Sequence, residues 1–225
     1  MQVKKIVGLI VSFFFVIILL MPLHNNLSIK NEAQAAKLKI LLLIRKGTPI
    51  CDVDFMLKQE VGVMISMLKE AGFKVIVASY SGEPIEGKTQ KLKPDLKIAA
   101  VNVNDYVGII IPCFSRGSLS YGWHASPEAI SLVKEAVAQG KPAAAQKGSI
   151  IILAEAGVLV GKRYANLSDA QYRNDSFKGA IYGGKGVIKD GNIITSSHCP
   201  IIVGYYGGED GTPQLTKIFI ETIKE

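Results

Sequence analysis

The residues with the clearest chemical meaning surround a short run of small side chains. The segment 142–145 reads Pro-Ala-Ala-Ala, Gly148 follows closely, and 150–156 is an apolar run with helical character. This order predicts a buried strand that turns sharply into a helix, a geometry that raises one side chain above a parallel sheet. We expect the raised residue to be Gln146, whose amide can donate and accept hydrogen bonds but cannot act as a nucleophile.

Strands and helices alternate around this turn. The helices are expected to have a core face, as shown by Val53, Leu57 and Val61 in the first of them. Such alternation predicts a single α/β domain with a mainly parallel sheet covered on both faces. The predicted strands are 38–44, 73–79, 107–112, the strand before the turn, and a 187–196 hairpin that turns at Asp190-Gly191; the predicted helices are 52–71, 126–140 and one from Thr212.

The first 35 residues are typical of an export signal. Lys4 and Lys5 precede a long apolar stretch, 6–23, and Ala33-Gln34-Ala35 fits a small-x-small cleavage site. We therefore predict export, with cleavage after Ala35, and a mature domain over 36–225. An uncleaved N-terminal membrane anchor is the alternative, because the apolar stretch just reaches the length of a membrane helix.

Composition excludes several classes of site. The chain has 26 Lys and Arg against 19 Asp and Glu, but the basic residues are scattered and no aromatic residues alternate with them, which argues against nucleic-acid binding. The three cysteines, Cys51, Cys113 and Cys199, include no CxxC pair, which argues against a structural zinc site. We predict no cofactor, and contact with a membrane only through the N-terminal segment.

From about Leu38 onward a series of short motifs occurs in a specific order. They are the initial strand, Glu60 followed by Ala71-Gly72-Phe73-Lys74-Val75, Asp105-Tyr106 before Ile109-Ile110-Ile111-Pro112, Gly140-Lys141-Pro142, and 189–196. In this order and spacing the sequence resembles the ThiJ/PfpI family. The resemblance implies a flavodoxin-like three-layer sandwich, related to the class I glutamine amidotransferases and often a homodimer.

The resemblance also indicates which residues carry function. Enzymes of the family use a cysteine at the sharp turn, a glutamate from the first helix and, in many members, a histidine after the cysteine. Glu60 matches the glutamate, whereas Gln146 and Lys147 stand at the other two positions, and Cys113-Phe114 replaces a glycine pair that helps to form the oxyanion hole. We therefore predict that the thiol chemistry is lost and that the domain binds a small polar or anionic ligand above Gln146, contacted by Glu60 and Lys147.

The resemblance brings Cys113 and the His198-Cys199 loop to the rim of the same pocket, which leaves alternatives open. A relocated nucleophile, Cys113 with His198 as base and Glu60 as orienting residue, would give a hydrolase or a deglycase- or glyoxalase-like enzyme. A Cys113–Cys199 disulfide and two inert thiols are also consistent with the sequence. Cys113, His198, Cys199 and Glu60 have the ligand types of a metal site but no diagnostic spacing, so we predict none. Trp123-His124 is either a lid or a packing anchor.

Overall fold

A seven-stranded sheet forms the centre of the molecule. The computed structural model describes residues 38–44, 52–113, 125–171 and 174–225, and residues 39–225 form one compact unit. The strands are β1 (Lys39–Ile44), β2 (Lys74–Ser79), β3 (Ile85–Glu86), β4 (Lys91–Leu92), β5 (Leu96–Lys97), β6 (Gly108–Ile111), β7 (Ala143–Gln146), β8 (Arg163–Ala165), β9 (Ile181–Gly184), β10 (Val187–Asp190) and β11 (Ile193–Ser196).

The strand order in the main sheet is β10-β11-β7-β6-β1-β2-β5. All neighbouring pairs are parallel except β10 and β11, which form the hairpin expected at Asp190-Gly191. The flavodoxin-like α/β fold expected from the sequence is therefore confirmed. Two small sheets, β3-β4 and β8-β9, lie outside it.

The helices cover both faces of the sheet. They are α1 (Val53–Met56), α2 (Gly62–Glu70), α3 (Pro127–Ala138), α4 (Ile150–Glu155), α5 (Pro200–Tyr206) and α6 (Thr212–Lys224). Helices α3 and α4 pack against each other, and α2 packs against α6. Successive strand residues point to opposite faces: Leu41 and Leu43 join the core beneath α3 and α4, while Ile40 and Leu42 are equally buried on the other face.

The helix predicted over 52–71 is present, with one irregularity that the sequence did not indicate. Its residues Leu57–Val61 form a π-helical turn between α1 and α2. Single π turns inside α-helices are uncommon in proteins. Those that do occur are frequently located at functional sites. This turn contains Glu60, which is completely buried.

Within the described residues, no helix is long and apolar enough to cross a membrane. The predicted signal segment and the boundary after Ala35 lie outside the described residues, as do Cys51 and Trp123-His124.

Candidate functional site

The candidate site lies at the carboxyl ends of the parallel strands, where open α/β sheets bind their ligands. Cys113 lies just past the end of β6, Lys147 directly follows β7, and His198 and Cys199 follow β11. Because these three strands are neighbours in the sheet, their carboxyl ends bring the three segments together. Glu60 reaches the same place from the π turn of the first helix.

Lys147 is the residue at the sharp turn between strand and helix. Its backbone φ is 45°, the only positive value recorded for a non-glycine residue in the described part of the chain. Gln146 still has extended backbone and pairs with Ser196 in the sheet. We expected Gln146 to be raised at this turn; instead the strand continues through it, and the turn falls one residue later.

Gln146 is consequently a buried residue whose side chain connects the end of β7 to the start of α6. Its Nε2 donates to the carbonyl oxygen of His198 at 2.9 Å and to Thr212 Oγ1 at 2.7 Å. The contact with His198 fixes the amide orientation, because a carbonyl oxygen can only accept. The sequence left open whether Gln146 bonds Glu60 or holds a ligand. In the structure its amide nitrogen donates to His198 and Thr212 instead, and no described residue donates a hydrogen bond to its buried Oε1.

The Lys147 side chain is half-buried and makes a specific contact. Its Nζ donates to Asn166 Oδ1 at 3.0 Å, and the same oxygen accepts from the Leu167 backbone N–H at 2.8 Å. Asn166 follows the short strand β8 and is itself buried. The β8-β9 sheet therefore supplies an acceptor that orients the ammonium group.

Glu60 connects the first helix to the end of β6. One of its carboxylate oxygens, Oε1, accepts the backbone N–H of Cys113 at 2.7 Å. A second hydrogen bond holds the neighbouring residue: the Ser149 hydroxyl, in the turn after β7, donates to the carbonyl oxygen of Pro112. Both contacts hold the 112–113 segment against the neighbouring elements.

Cys113 and Cys199 face each other in the interior. Both are buried, and the structure has them as two thiols rather than a disulfide. A ligand atom from each of Glu60, Cys113 and Cys199 lies within 4.8 Å of the other two. The hydrogen bond with Cys113, burial, and the negative charges that Cys113 and Glu60 can carry all raise the pKa of the Cys199 thiol. Cys199 is therefore protonated in the structure and is a poor nucleophile.

His198 occupies a positive environment. Its Nδ1 lies 2.7 Å from Ser197 Oγ, and the other side of the ring packs beneath Gly208, where an added Cβ would lie 3.0 Å from Nε2. Burial, followed by the charges of Lys185 and Lys147, lowers the pKa of His198. The imidazole is thus neutral at neutral pH.

The site thus contains all five predicted residues, but in two groups. Glu60 and Cys113 form a buried cluster with Cys199. Lys147 lies near His198, and Gln146 is buried next to His198. The sequence did not indicate Asn166, which accepts from Lys147, nor Asp210 and Thr212, which both accept from Gln146. Only the last two carried a signal, since Asp210-Gly211-Thr212-Pro213 is a typical helix start.

Comparisons with known proteins agree with this architecture. A sequence model of the DJ-1/PfpI family matches residues 50–203. An uncharacterized protein of Methanocaldococcus jannaschii is 31% identical over 188 residues, which cover 80% of this chain and 87% of the relative. Deglycase PfpI of Pyrococcus furiosus is 29% identical over 133 residues, which cover 58% of this chain and 77% of that protein.

Solved structures show the same fold. Drosophila melanogaster DJ-1beta superposes with a TM-score of 0.60 at 23% identity, covering 84% of this chain and 92% of that one. A ThiJ/PfpI domain protein of Brachyspira murdochii gives a TM-score of 0.62 at 18% identity, covering 83% and 96%. The sheet, the strained turn after β7 and the glutamate of the first helix are thus found in a chain that belongs to the DJ-1/PfpI family.

Proposed function

We propose that this protein is an exported, ligand-binding member of the DJ-1/PfpI family that does not carry out cysteine chemistry, and that it binds a small anionic ligand through Lys147. The supporting observation is the strained backbone of Lys147 at the turn after β7. Enzymes that use such a turn place their nucleophile there. In this chain the raised residue carries an ammonium group, and no cysteine occurs anywhere between Cys113 and Cys199.

Charge favours an anionic ligand. The positive charges of Lys185 and Lys147 both lower the pKa of His198, so the electrostatic potential near this imidazole is positive. Lys185 is exposed and Lys147 half-buried, which places the ammonium groups at the boundary between protein and solvent. A partly desolvated ammonium group forms stronger charge-assisted hydrogen bonds than one in water.

The alternative of Cys113 as a relocated nucleophile has weaker support. A nucleophilic thiol needs a lowered pKa and access to substrate, whereas Cys113 is buried beside the protonated Cys199 and the carboxylate of Glu60. His198, the base in that scheme, has its Nδ1 hydrogen-bonded to Ser197 Oγ, and Gly208 lies beside its Nε2.

Binding is tested by calorimetry with a panel of inorganic phosphate, succinate and glyoxylate. We expect at least one of these anions to bind and Lys147→Gln to weaken it at least about tenfold, since a hydrogen bond to a charged group contributes roughly 1.5–3 kcal/mol. Lys217→Gln, at an exposed lysine of α6, is the matched control and should bind as the wild type does. Equal affinity of the Lys147 variant for every anion would refute the proposed site.

Turnover is tested separately on a glycated amine and an ester substrate. We expect none above the buffer rate. Turnover that disappears in Cys113→Ser but persists in Cys51→Ser would establish the thiol enzyme instead and exclude the binding role proposed here.

A further inference from the structure

We infer that Glu60, Cys113 and Cys199 form a binding site for Zn²⁺, with three protein ligands and a fourth position open to water or another small ligand. The site is separate from the proposed anion site at Lys147 and does not rest on it. Its ligands come from three elements that are distant in sequence, which explains why no spacing motif indicates it.

The geometry is close to that of a zinc site. The carboxylate oxygen and two sulfur atoms lie within 4.8 Å of one another. With Zn–S distances of about 2.3 Å and Zn–O distances of about 2.0–2.2 Å, tetrahedral ligands are separated by about 3.5–3.8 Å. The three atoms therefore need to approach one another by about 1 Å, which side-chain rotation can provide.

The position of Glu60 is already fixed by the backbone. Its Oε1 accepts the Cys113 N–H, so the carboxylate is held at the cluster by the same residue that supplies one of the sulfur ligands. A metal-binding carboxylate is usually oriented by a hydrogen bond of this kind. The π turn, which breaks the regular helix at Glu60, places that carboxylate in the interior.

The charge balance favours a cation. Glu60 and Cys199 are completely buried and Cys113 nearly so, and acidic groups in such a place oppose one another's ionisation. A divalent ion reverses the effect: both thiols lose their protons, two protons leave for solvent, and two thiolates with one carboxylate surround Zn²⁺.

The ligand types select the metal. Ca²⁺ and Mg²⁺ require six or more oxygen ligands, which two sulfur atoms exclude. Cu⁺ prefers sulfur ligands alone. Zn²⁺ accepts sulfur and carboxylate oxygen together, in sites of three protein ligands with an open fourth position.

The experiment uses the full chain, reduced and stripped of metal, dialysed against Zn²⁺ at neutral pH. We expect one ion per chain and the release of two protons per ion. Co²⁺ then serves as a spectroscopic probe in the wild-type protein, where we expect thiolate-to-cobalt charge transfer and the intense visible bands of tetrahedral coordination. Absence of Zn²⁺ binding, or cobalt spectra without thiolate bands, would overturn the inference without requiring any variant to fold.

Variants identify the ligands. We expect Zn²⁺ binding to weaken by more than about 100-fold in each of Cys113→Ser, Cys199→Ser and Glu60→Gln. This exceeds the loss of metal affinity that is typical when a residue that only contacts a metal ligand is replaced. Cys51→Ser, which removes the third cysteine of the chain, and Lys147→Gln should each retain one ion. Undiminished binding in the Cys113 and Cys199 variants, or loss in the Cys51 variant, would place the metal elsewhere. Since we expect Lys147→Gln to weaken anion binding and to leave Zn²⁺ binding unchanged, failure of either proposal is recognised independently of the other.

Discussion

Lys147 combines a backbone conformation that suits glycine with a side chain that makes a specific contact. A non-glycine residue in the left-handed region costs roughly 1–2 kcal/mol, and such strain persists where the surrounding structure enforces it. Here the flanking residues Gln146 and Ser149 are held by buried hydrogen bonds. The strain is therefore retained together with an ammonium group directed at Asn166, which fits a role in binding better than a role in stability.

The residue scale offers a direct test of this strain. We expect Lys147→Gly to increase the free energy of unfolding by about 0.5–1 kcal/mol, because the relieved strain exceeds the extra chain entropy of glycine. Equilibrium unfolding in urea measures the change, provided that the free energy of unfolding depends on urea concentration with the same slope in both proteins. Lys147→Gln, which keeps the strain and loses the charge, is the control and should not be stabilised. A glycine variant less stable than the glutamine variant would mean that the turn is not strained.

The turn was predicted at Gln146 and lies at Lys147, and this difference shows how far the site could be predicted from the sequence. The sharp turn and the buried strand before it were predicted from the residues, whereas Glu60 was indicated only by the family resemblance. The exact turn residue was not, because small residues extend a strand without marking its end. The register is fixed by pairing with the neighbouring strands, and the pair that extends the strand through Gln146, with Ser196, joins residues 50 positions apart in the sequence.

At the scale of elements, long apolar runs were predictable and short ones were not. Strands β1, β2, β6 and β7 carry enough buried residues to be predicted from the sequence, and the helix cap at Ser126 and the helix start at Thr212-Pro213 were also predicted. The sheets β3-β4 and β8-β9 have strands of two to four residues, too short for periodicity to detect. The π turn was missed for a related reason, since Leu57 and Val61 fit an ordinary helical spacing.

The start of α6 is the element that holds Gln146 in place. Asp210 Oδ1 accepts from the Thr212 backbone N–H at 3.0 Å and from Thr212 Oγ1 at 2.8 Å. Thr212 Oγ1 in turn accepts from Gln146. Burial raises the pKa of Asp210 above its ordinary value of 3.8, although its hydrogen bonds to Thr212 and Gln146 act in the opposite direction.

This raised pKa predicts a pH dependence of stability. In the interval above pH 3.8 the folded protein retains a proton on Asp210 that the unfolded chain has lost, so stability falls as pH rises through that interval. Asp210→Asn keeps the accepting oxygen without the charge. We therefore expect this variant to be more stable than the wild type at neutral pH, with the difference disappearing below pH 3.8. Thermal unfolding across the pH range measures it.

A second variant separates the charge of Asp210 from its hydrogen bonds. Asp210→Ala removes the acceptor at the helix start and should lower stability by about 0.5–2 kcal/mol at neutral pH. If the asparagine variant is destabilised to the same extent, the charge itself stabilises the helix and the raised pKa is not the controlling effect.

At the scale of the whole molecule, charge and the N-terminal segment bear on where the protein acts. The full chain carries a formal charge of +7; residues 1–35 include three lysines and one glutamate, so the chain from Ala36 carries +5. The lysines near His198 belong to this remaining part. Removal of the leader therefore leaves the proposed anion site and the proposed zinc ligands intact.

Export is the prediction that concerns the whole chain. In this prediction Lys4 and Lys5 would retain the N-terminus on the inner side of the membrane, the apolar stretch 6–23 would enter it, and the small residues Ala33 and Ala35 fit a signal peptidase site. We expect the protein recovered outside the cytoplasm to begin at Ala36, as determined by N-terminal sequencing and intact mass. Ala35→Tyr, which blocks the small-residue position, should leave the full-length chain attached to the membrane. Recovery of uncleaved wild-type protein from the membrane would establish the anchor instead, and recovery from the cytoplasm would exclude export altogether.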